Sequence, residues 1–369
     1  MINKKRLLAT FLDYATIDSE SNHEKNICDH ICKQLAALGY SFRHYQPLSK
    51  YPSDGYTIGV TVEGDRTKEG LVLAAHLDTV IPGKNVKPHL CEDGYIRSDG
   101  TTVLGSDDKS GVASLMELLR TLRETNTVPC PLQIFFTIQE EIGTIGAQSI
   151  PKEDIAFSQA IVLDSSGDVG RVVTSSPGRM EIKSTVLGKA AHAGNFPEKG
   201  ISALSVMSKA ISKMHLQRID NETTANVGSF LAPGVPNIVN DKASIVAEIR
   251  SRNSEKLRRE EQHMHQCLLD ACKESGAELQ YEIVQNSAGY QIPQDAPVLK
   301  RLEQACQKCG IHFFTAASGG GSDANVFNEK GMTAVNISTG MEKVHTKEEQ
   351  MSVKNLEQCA TLLWEIVTA

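Results

Sequence analysis

A chain of 369 residues, 40% apolar and 22% charged, has the composition of a globular protein and the length for two folded domains. A net charge of −7 disfavours nucleic acid or an anionic membrane surface as partner, and no apolar run approaches the roughly 20 residues of a membrane span. The nine cysteines are odd in number and irregularly spaced, which fits free thiols in a reducing cytoplasm better than a disulfide framework.

Leu7, Leu8, Phe11, Leu12 and Ile17 recur at helical spacing, and Asp13 interrupts the basic start before any long apolar stretch. This predicts a surface helix and not a signal peptide. Residues 71–77 (LVLAAHL) form an apolar run broken by one histidine and followed by the turn pair Pro82-Gly83, the pattern of a buried strand. Val112, Leu115, Met116, Leu119 and Leu122 then mark one face of a helix. Two more buried strands are expected at 132–138 (LQIFFTI) and 160–164 (AIVLD). Strand, helix, strand in this order predicts an α/β domain, a mostly parallel sheet with helices on both faces.

Beyond Pro177 the pattern changes. RMEIKSTVLG alternates as a half-exposed strand does, and a helix (201–214), a strand (243–251), a long charged helix from Asn253 and a strand (278–284) follow. These predict a smaller α+β domain with an antiparallel sheet. After Pro293 the first style returns, with a helix at 296–309, a strand at 332–338 and a helix at 353–368. The expectation is a discontinuous domain of residues 1–177 and 291–369, with residues 178–290 inserted into it. Cys306 and Cys309 fall in the 296–309 helix without a second Cys pair, so a structural zinc site is not expected there.

The chemistry lies at strand ends. His76 and Asp78 follow LVLAA, Glu140 and Glu141 follow FFTI, Asp164 ends AIVL, Asp107 lies in LGSDDKSG, and His345 lies just past the 332–338 strand. Open α/β sheets place their sites at this edge. Each position alone has an ordinary reading: a strand-end histidine, a helix-capping aspartate pair, a solvated loop. Together, His76, Asp107, Glu141, Asp164 and His345 offer two imidazoles and three carboxylates, a set suited to two zinc-like ions sharing one carboxylate. Asp78 could hold the His76 ring, and Glu140 is left free to take a proton from water. The loop SGGGSDANVF (318–327) lacks the Lys-Ser/Thr of a phosphate-binding loop, so a nucleotide site is not expected. Its glycines, Gly319, Gly320 and Gly321, could present N–H groups to a substrate carboxylate or make a tight turn.

AAHLDTV, GSDDKSGVA, QEEIGTIGA, VLDSSG and VHTKEE, in that order, resemble the di-zinc metallopeptidases of the peptidase T, carboxypeptidase G and aminoacylase family. DDKSG and EEIGTIGA are most similar to the peptidase T branch of tripeptide aminopeptidases. The resemblance implies that His76 and Asp164 bind one zinc, that Glu141 and His345 bind the other, and that Asp107 bridges them. It makes Asp78 the residue that orients His76 and Glu140 the general base. It further implies that His192 supports the oxyanion, in its own or a neighbouring subunit, and that Asn237, Arg250 and Gly319–Gly321 contact substrate. Manganese or cobalt would suit the same ligands. The sequence has FTIQEEIG and VLDSSG where the peptidase T branch typically has FTPDEEIG and an aspartate followed by two glycines, so the lining near the substrate's amine is expected to differ. The implied protein is a cytoplasmic aminopeptidase acting on short peptides, tripeptides above all, and a homodimer. A deacylase or carboxypeptidase of the same fold is the alternative, and a non-catalytic metal-binding protein is a second.

Overall fold

The computed structural model describes residues 2–369. The chain divides into two compact units. One comprises the chain up to Thr174 with Ile292–Ala317 and Ser322–Ala369; the other comprises Ser175–Gln291 with Ser318–Gly321.

The first unit is built on a mixed sheet. In spatial order its main strands are Phe42–Tyr45, Thr57–Val62, Leu132–Thr137, Leu71–His76, Gln159–Ser165, Thr333–Ser338 and Arg171–Ser176, and the short strands Tyr290–Gln291 and Phe314–Ala317 pair with the last. The four strands from Leu132–Thr137 to Thr333–Ser338 are mutually parallel. The flanking pairs are antiparallel. Every residue of Leu71–His76 and Leu132–Thr137 is buried. Strands covered on both faces must be apolar throughout, hence their unbroken runs in the sequence. The helix Ser106–Thr125 packs on Leu71–His76 and against the helices Lys4–Thr16 and Val353–Thr368. Its Val112, Leu115, Met116, Leu119 and Leu122 are all buried, as their spacing predicts.

The expected α/β unit with a parallel core is therefore present, and antiparallel strands that the sequence reading did not anticipate extend it. Because the four core strands are parallel, their carboxyl ends share one edge, and His76, Thr137, Asp164 and Ser338 lie at or beside it. A separate small sheet pairs Met341–Glu342 with Gln350–Ser352, which in turn pairs with Tyr95–Arg97. It holds both ends of the loop that carries His345.

The second unit contains an antiparallel sheet in the order Gln217–Arg218, Thr223–Leu231, Lys242–Ser251, Gly178–Leu187, Glu278–Ser287. The helices Ala203–Ile211 and Ser254–Ser275 pack on it. Ile182, Val186, Met207, Ile245, Ile249 and Leu268 form its core. Burial alternates along Gly178–Leu187 and Lys242–Ser251, as in a sheet covered on one face. The strand Thr223–Leu231 was not expected. Its second half is largely exposed and its register slips between Val227 and Ser229, around Gly228, so it carries little apolar signal.

Candidate active site

His76 is the last residue of its strand and is 1% exposed. Its Nδ1 lies 3.0 Å from the main-chain oxygen of Asp78 and 3.5 Å from Asp78 Oδ1. Both are pure acceptors, so Nδ1 carries a proton and Nε2 points away from them. Nε2 lies 3.0 Å from Asp107 Oδ1 and 3.6 Å from Asp164 Oδ1. The second oxygen of Asp107 lies 3.2 Å from His345 Nε2, which is also 3.0 Å from Glu141 Oε2. One carboxylate thus stands between two imidazoles, with a further carboxylate on each.

The Asp107 loop is fixed by a residue the sequence reading passed over. Glu349 accepts hydrogen bonds from the N–H groups of Leu104, Gly105 and Asp107 and from the Ser106 hydroxyl. The Asp107–Asp108 peptide is cis. Asp108, fully buried, turns inward: Oδ2 accepts from the His76 N–H at 3.2 Å and Oδ1 from the Gly111 N–H at 3.1 Å. His345 itself sits at φ 63.

Glu140 and Glu141 follow the Leu132–Thr137 strand. Adjacent strand residues point to opposite faces, and here the backbone turns, with Gln139 at φ 53. Asp78 Oδ1 accepts from the Glu140 N–H at 2.9 Å, and Oδ2 from the Glu141 N–H at 3.2 Å and the Ser21 hydroxyl at 2.7 Å. The Asp78 carboxylate therefore grips the Glu140–Glu141 backbone, while its carbonyl makes the shorter contact to the His76 ring. His76, Asp107 and Glu141 each offer a ligand atom within 4.8 Å of the others, and so do His76, Glu140 and Asp164. Among the described residues no hydrogen bond engages the Glu140 carboxylate.

Burial dominates the electrostatics. It pushes the Asp164 carboxyl up to about 8 and the Glu140 and Glu141 carboxyls above their usual range, with neighbouring carboxylates adding to the effect. Burial alone would lower the His76 imidazole, but hydrogen bonds to Asp107, Asp164 and Asp78 hold it well above its ordinary value. Hydrogen bonds to Asp107 and Glu141 raise His345 to about 10. Asp107 is held low by the two histidines against the opposing effect of burial. A buried cluster of this kind is acid-rich and short of positive charge. Glu141 Oε1 is buried with no hydrogen-bond partner. Imidazole Nε2 atoms facing carboxylate oxygens, with the other oxygen of Glu141 orphaned beside them, form a donor set that fits two divalent ions of the zinc type.

A further buried acid, Asp323, accepts from the Thr137 hydroxyl at 2.6 Å, and burial pushes its carboxyl up to about 6. In the sequence it reads as part of a glycine-rich turn. Lys109, fully buried, donates to the Ile17 carbonyl at 2.7 Å, and burial lowers its ammonium to about 8.

The remaining expected site residues belong to the second unit. His192 Nδ1 accepts from the N–H groups of Gly194 and Asn195 at 3.2 and 3.1 Å, which leaves the ring proton on Nε2. The Asn237 carbonyl accepts from the Ala193 N–H at 3.0 Å, so the two segments run side by side. Arg250 spends Nε and Nη2 on Glu248, at 2.6 and 3.2 Å, and Nη1 on the Gly319 carbonyl. The Gly320 N–H donates to the Ser318 hydroxyl, and the Gly320 carbonyl accepts from the Ser176 hydroxyl. Both the guanidinium fork and one of the three glycine N–H groups therefore already have partners inside the unit.

A carboxylate shared by two imidazoles at the carboxyl edge of a parallel sheet, with an unengaged glutamate beside it, defines a two-metal hydrolase site. Residues 72–369 match the Peptidase family M20/M25/M40, and the chain belongs to that family. It is 38% identical over 367 residues to the uncharacterized protein YqjE of Bacillus subtilis (strain 168), covering 100% of this chain and 99% of the relative. Peptidase T of Haemophilus influenzae (strain PittGG) is 23% identical over 411 residues, covering 99% of this chain and 98% of the relative. A tripeptidase from Staphylococcus aureus superposes with a TM-score of 0.94 at 35% identity, and the aminopeptidase PepT from Bacillus cereus with 0.87 at 35%. Each superposition covers 100% of this chain and 98% of the other. The chain is a metallopeptidase with a di-zinc-type active site.

Proposed function

We propose that the chain removes the N-terminal residue of short peptides, tripeptides above all. The observation that carries this reading is the Asp107 carboxylate held between His76 and His345, with Glu140 unengaged beside it. The similarity to a tripeptidase and to an aminopeptidase at 35% identity over the whole chain supports the substrate class. His76 and Asp164 would hold one zinc, Glu141 and His345 the other, and Asp107 both. Bound zinc supplies Lewis-acid polarisation of the scissile carbonyl and a water acidic enough to lose its proton near neutral pH. Glu140 accepts that proton and delivers it to the leaving amine nitrogen. Asp78 keeps the proton of His76 on Nδ1 and fixes the main chain that aims Glu140 and Glu141.

His192 enters the proposal as the oxyanion donor, supported by the proton on its Nε2. Asn237, Arg250 and Gly319–Gly321 enter as substrate contacts. Arg250 would then reach a substrate carboxylate while still paired with Glu248. The first unit is taken as the catalytic domain and the second as lid and pairing domain. Exposed Phe230, Leu231 and Val235 on the second unit support pairing into a homodimer. Nine unpaired thiols support a cytoplasmic location. No helix among the described residues is long and apolar enough to cross a membrane.

The test is a panel of tripeptides, N-blocked tripeptides and N-acyl amino acids, run on metal-depleted and zinc-reconstituted protein. Release of the first residue from unblocked tripeptides, only after reconstitution, is expected. Cleavage confined to the blocked substrates would assign a deacylase or carboxypeptidase instead. Less than one zinc or manganese per chain with no hydrolysis would assign a binding protein.

A further inference from the structure

Three successive N–H groups, those of Gln139, Glu140 and Glu141, each point at a buried carboxylate oxygen. Asp78 accounts for the second and third. The first is taken by Glu24, whose Oε1 lies 3.2 Å from the Gln139 nitrogen. Glu24 comes from a distant part of the chain, at the start of the helix Lys25–Ala37, and is 0% exposed. The same Oε1 accepts from the Asn22 N–H at 2.9 Å, and Oε2 accepts from the Ser53 hydroxyl. Among the described residues no cation pairs with Glu24. The Gln139 side chain ties the same residue down from the other side. Its amide donates to Asn22 Oδ1 at 2.7 Å and to the Tyr51 carbonyl at 3.2 Å. Downstream, the Glu140 carbonyl accepts from the N–H groups of Gly143 and Thr144.

We propose that Glu24 is a positioning residue for the reaction: it locks the left-handed turn at Gln139 that sends the side chains of Glu140 and Glu141 into one cleft. A buried, unpaired carboxylate is a costly way to hold an ordinary loop. Here it holds the one residue whose φ decides where the next two side chains go. Glu24 touches no reacting atom and acts through Gln139. The inference rests on the roles given above to Glu140 as base and Glu141 as zinc ligand.

Three variants separate the turn from the charge. Glu24→Gln keeps an acceptor for Asn22 and Gln139, and its amide can donate to Ser53 Oγ, which already accepts from the Gly55 N–H. Glu24→Asp keeps the carboxyl group but withdraws the acceptor by one methylene. Glu24→Ala removes it. Each is read by kcat and KM on a tripeptide, by zinc affinity from chelator competition, and by cooperative thermal unfolding. E24Q should keep kcat and zinc affinity within about threefold of wild type. E24A and E24D should lose about 10- to 100-fold in kcat with KM within about threefold, and about tenfold in affinity at one zinc site. Wild-type values in a folded E24A, or equal losses in E24Q and E24D, would overturn the proposal. If E24A does not fold, the contrast between E24D and E24Q decides alone. If wild-type protein hydrolyses no peptide while E24D still loses zinc affinity and E24Q does not, the positioning role stands and the peptidase reading falls.

Discussion

Glu140 and Glu349 represent two kinds of residue at this site. The Glu140 carboxylate has no hydrogen-bonded partner among the described residues and stands beside His76 and Asp164. Replacing it by Gln should lower kcat by about 10²- to 10⁴-fold while elemental analysis still finds two zinc ions per chain. Glu349 does the opposite job, collecting three main-chain N–H groups and a hydroxyl to fix the loop of Asp107. Glu349→Ala leaves those donors unpaired and should weaken zinc binding by about 10- to 100-fold in a chelator competition. The two were not equally legible. Glu140, like His76 and Asp164, is a polar residue closing an apolar strand, a contradiction visible in the sequence itself. Glu349 and Glu24 sit in polar stretches, KEEQ and SNHEKN, where glutamate normally faces water, and only the packing of distant segments buries them.

At the scale of elements, the site depends on how closely the helix Ser106–Thr125 approaches the sheet. Gly111 makes the approach possible. A Cβ there would lie 2.6 Å from Asp108 Oδ1 and 2.6 Å from the Leu163 carbonyl. Gly111→Ala should therefore cost about 1–3 kcal/mol in denaturant unfolding. It should also weaken zinc binding, because Asp108 holds the His76 N–H. The elements around this contact were readable because full burial leaves an unbroken apolar run. Phe42–Tyr45, Thr57–Val62 and Thr223–Leu231 were missed for the converse reason. They are short, interrupted by glycine or half exposed, and their strand character comes from the neighbour they pair with. The second-unit strands that alternate cleanly, Gly178–Leu187 and Lys242–Ser251, were found.

Across the whole molecule, the first unit carries every candidate zinc ligand and the second has a core of its own. Zinc binding should therefore stabilise the first unit selectively. In calorimetry, chelation should lower one melting transition and leave the other in place. Zinc at about 100 times its Kd should restore about 2.7 kcal/mol to the first. A single transition that chelator does not move would contradict this. The order of the chain adds one more consequence. His345 and Glu349 follow the entire Ser175–Gln291 segment, yet they complete a site begun at His76. During synthesis the ribosome releases the second unit before it releases the last candidate ligand. A nascent chain stalled anywhere before that point holds an unfinished cleft and cannot cut peptides, so hydrolysis begins only once the polypeptide has passed its own final checkpoint.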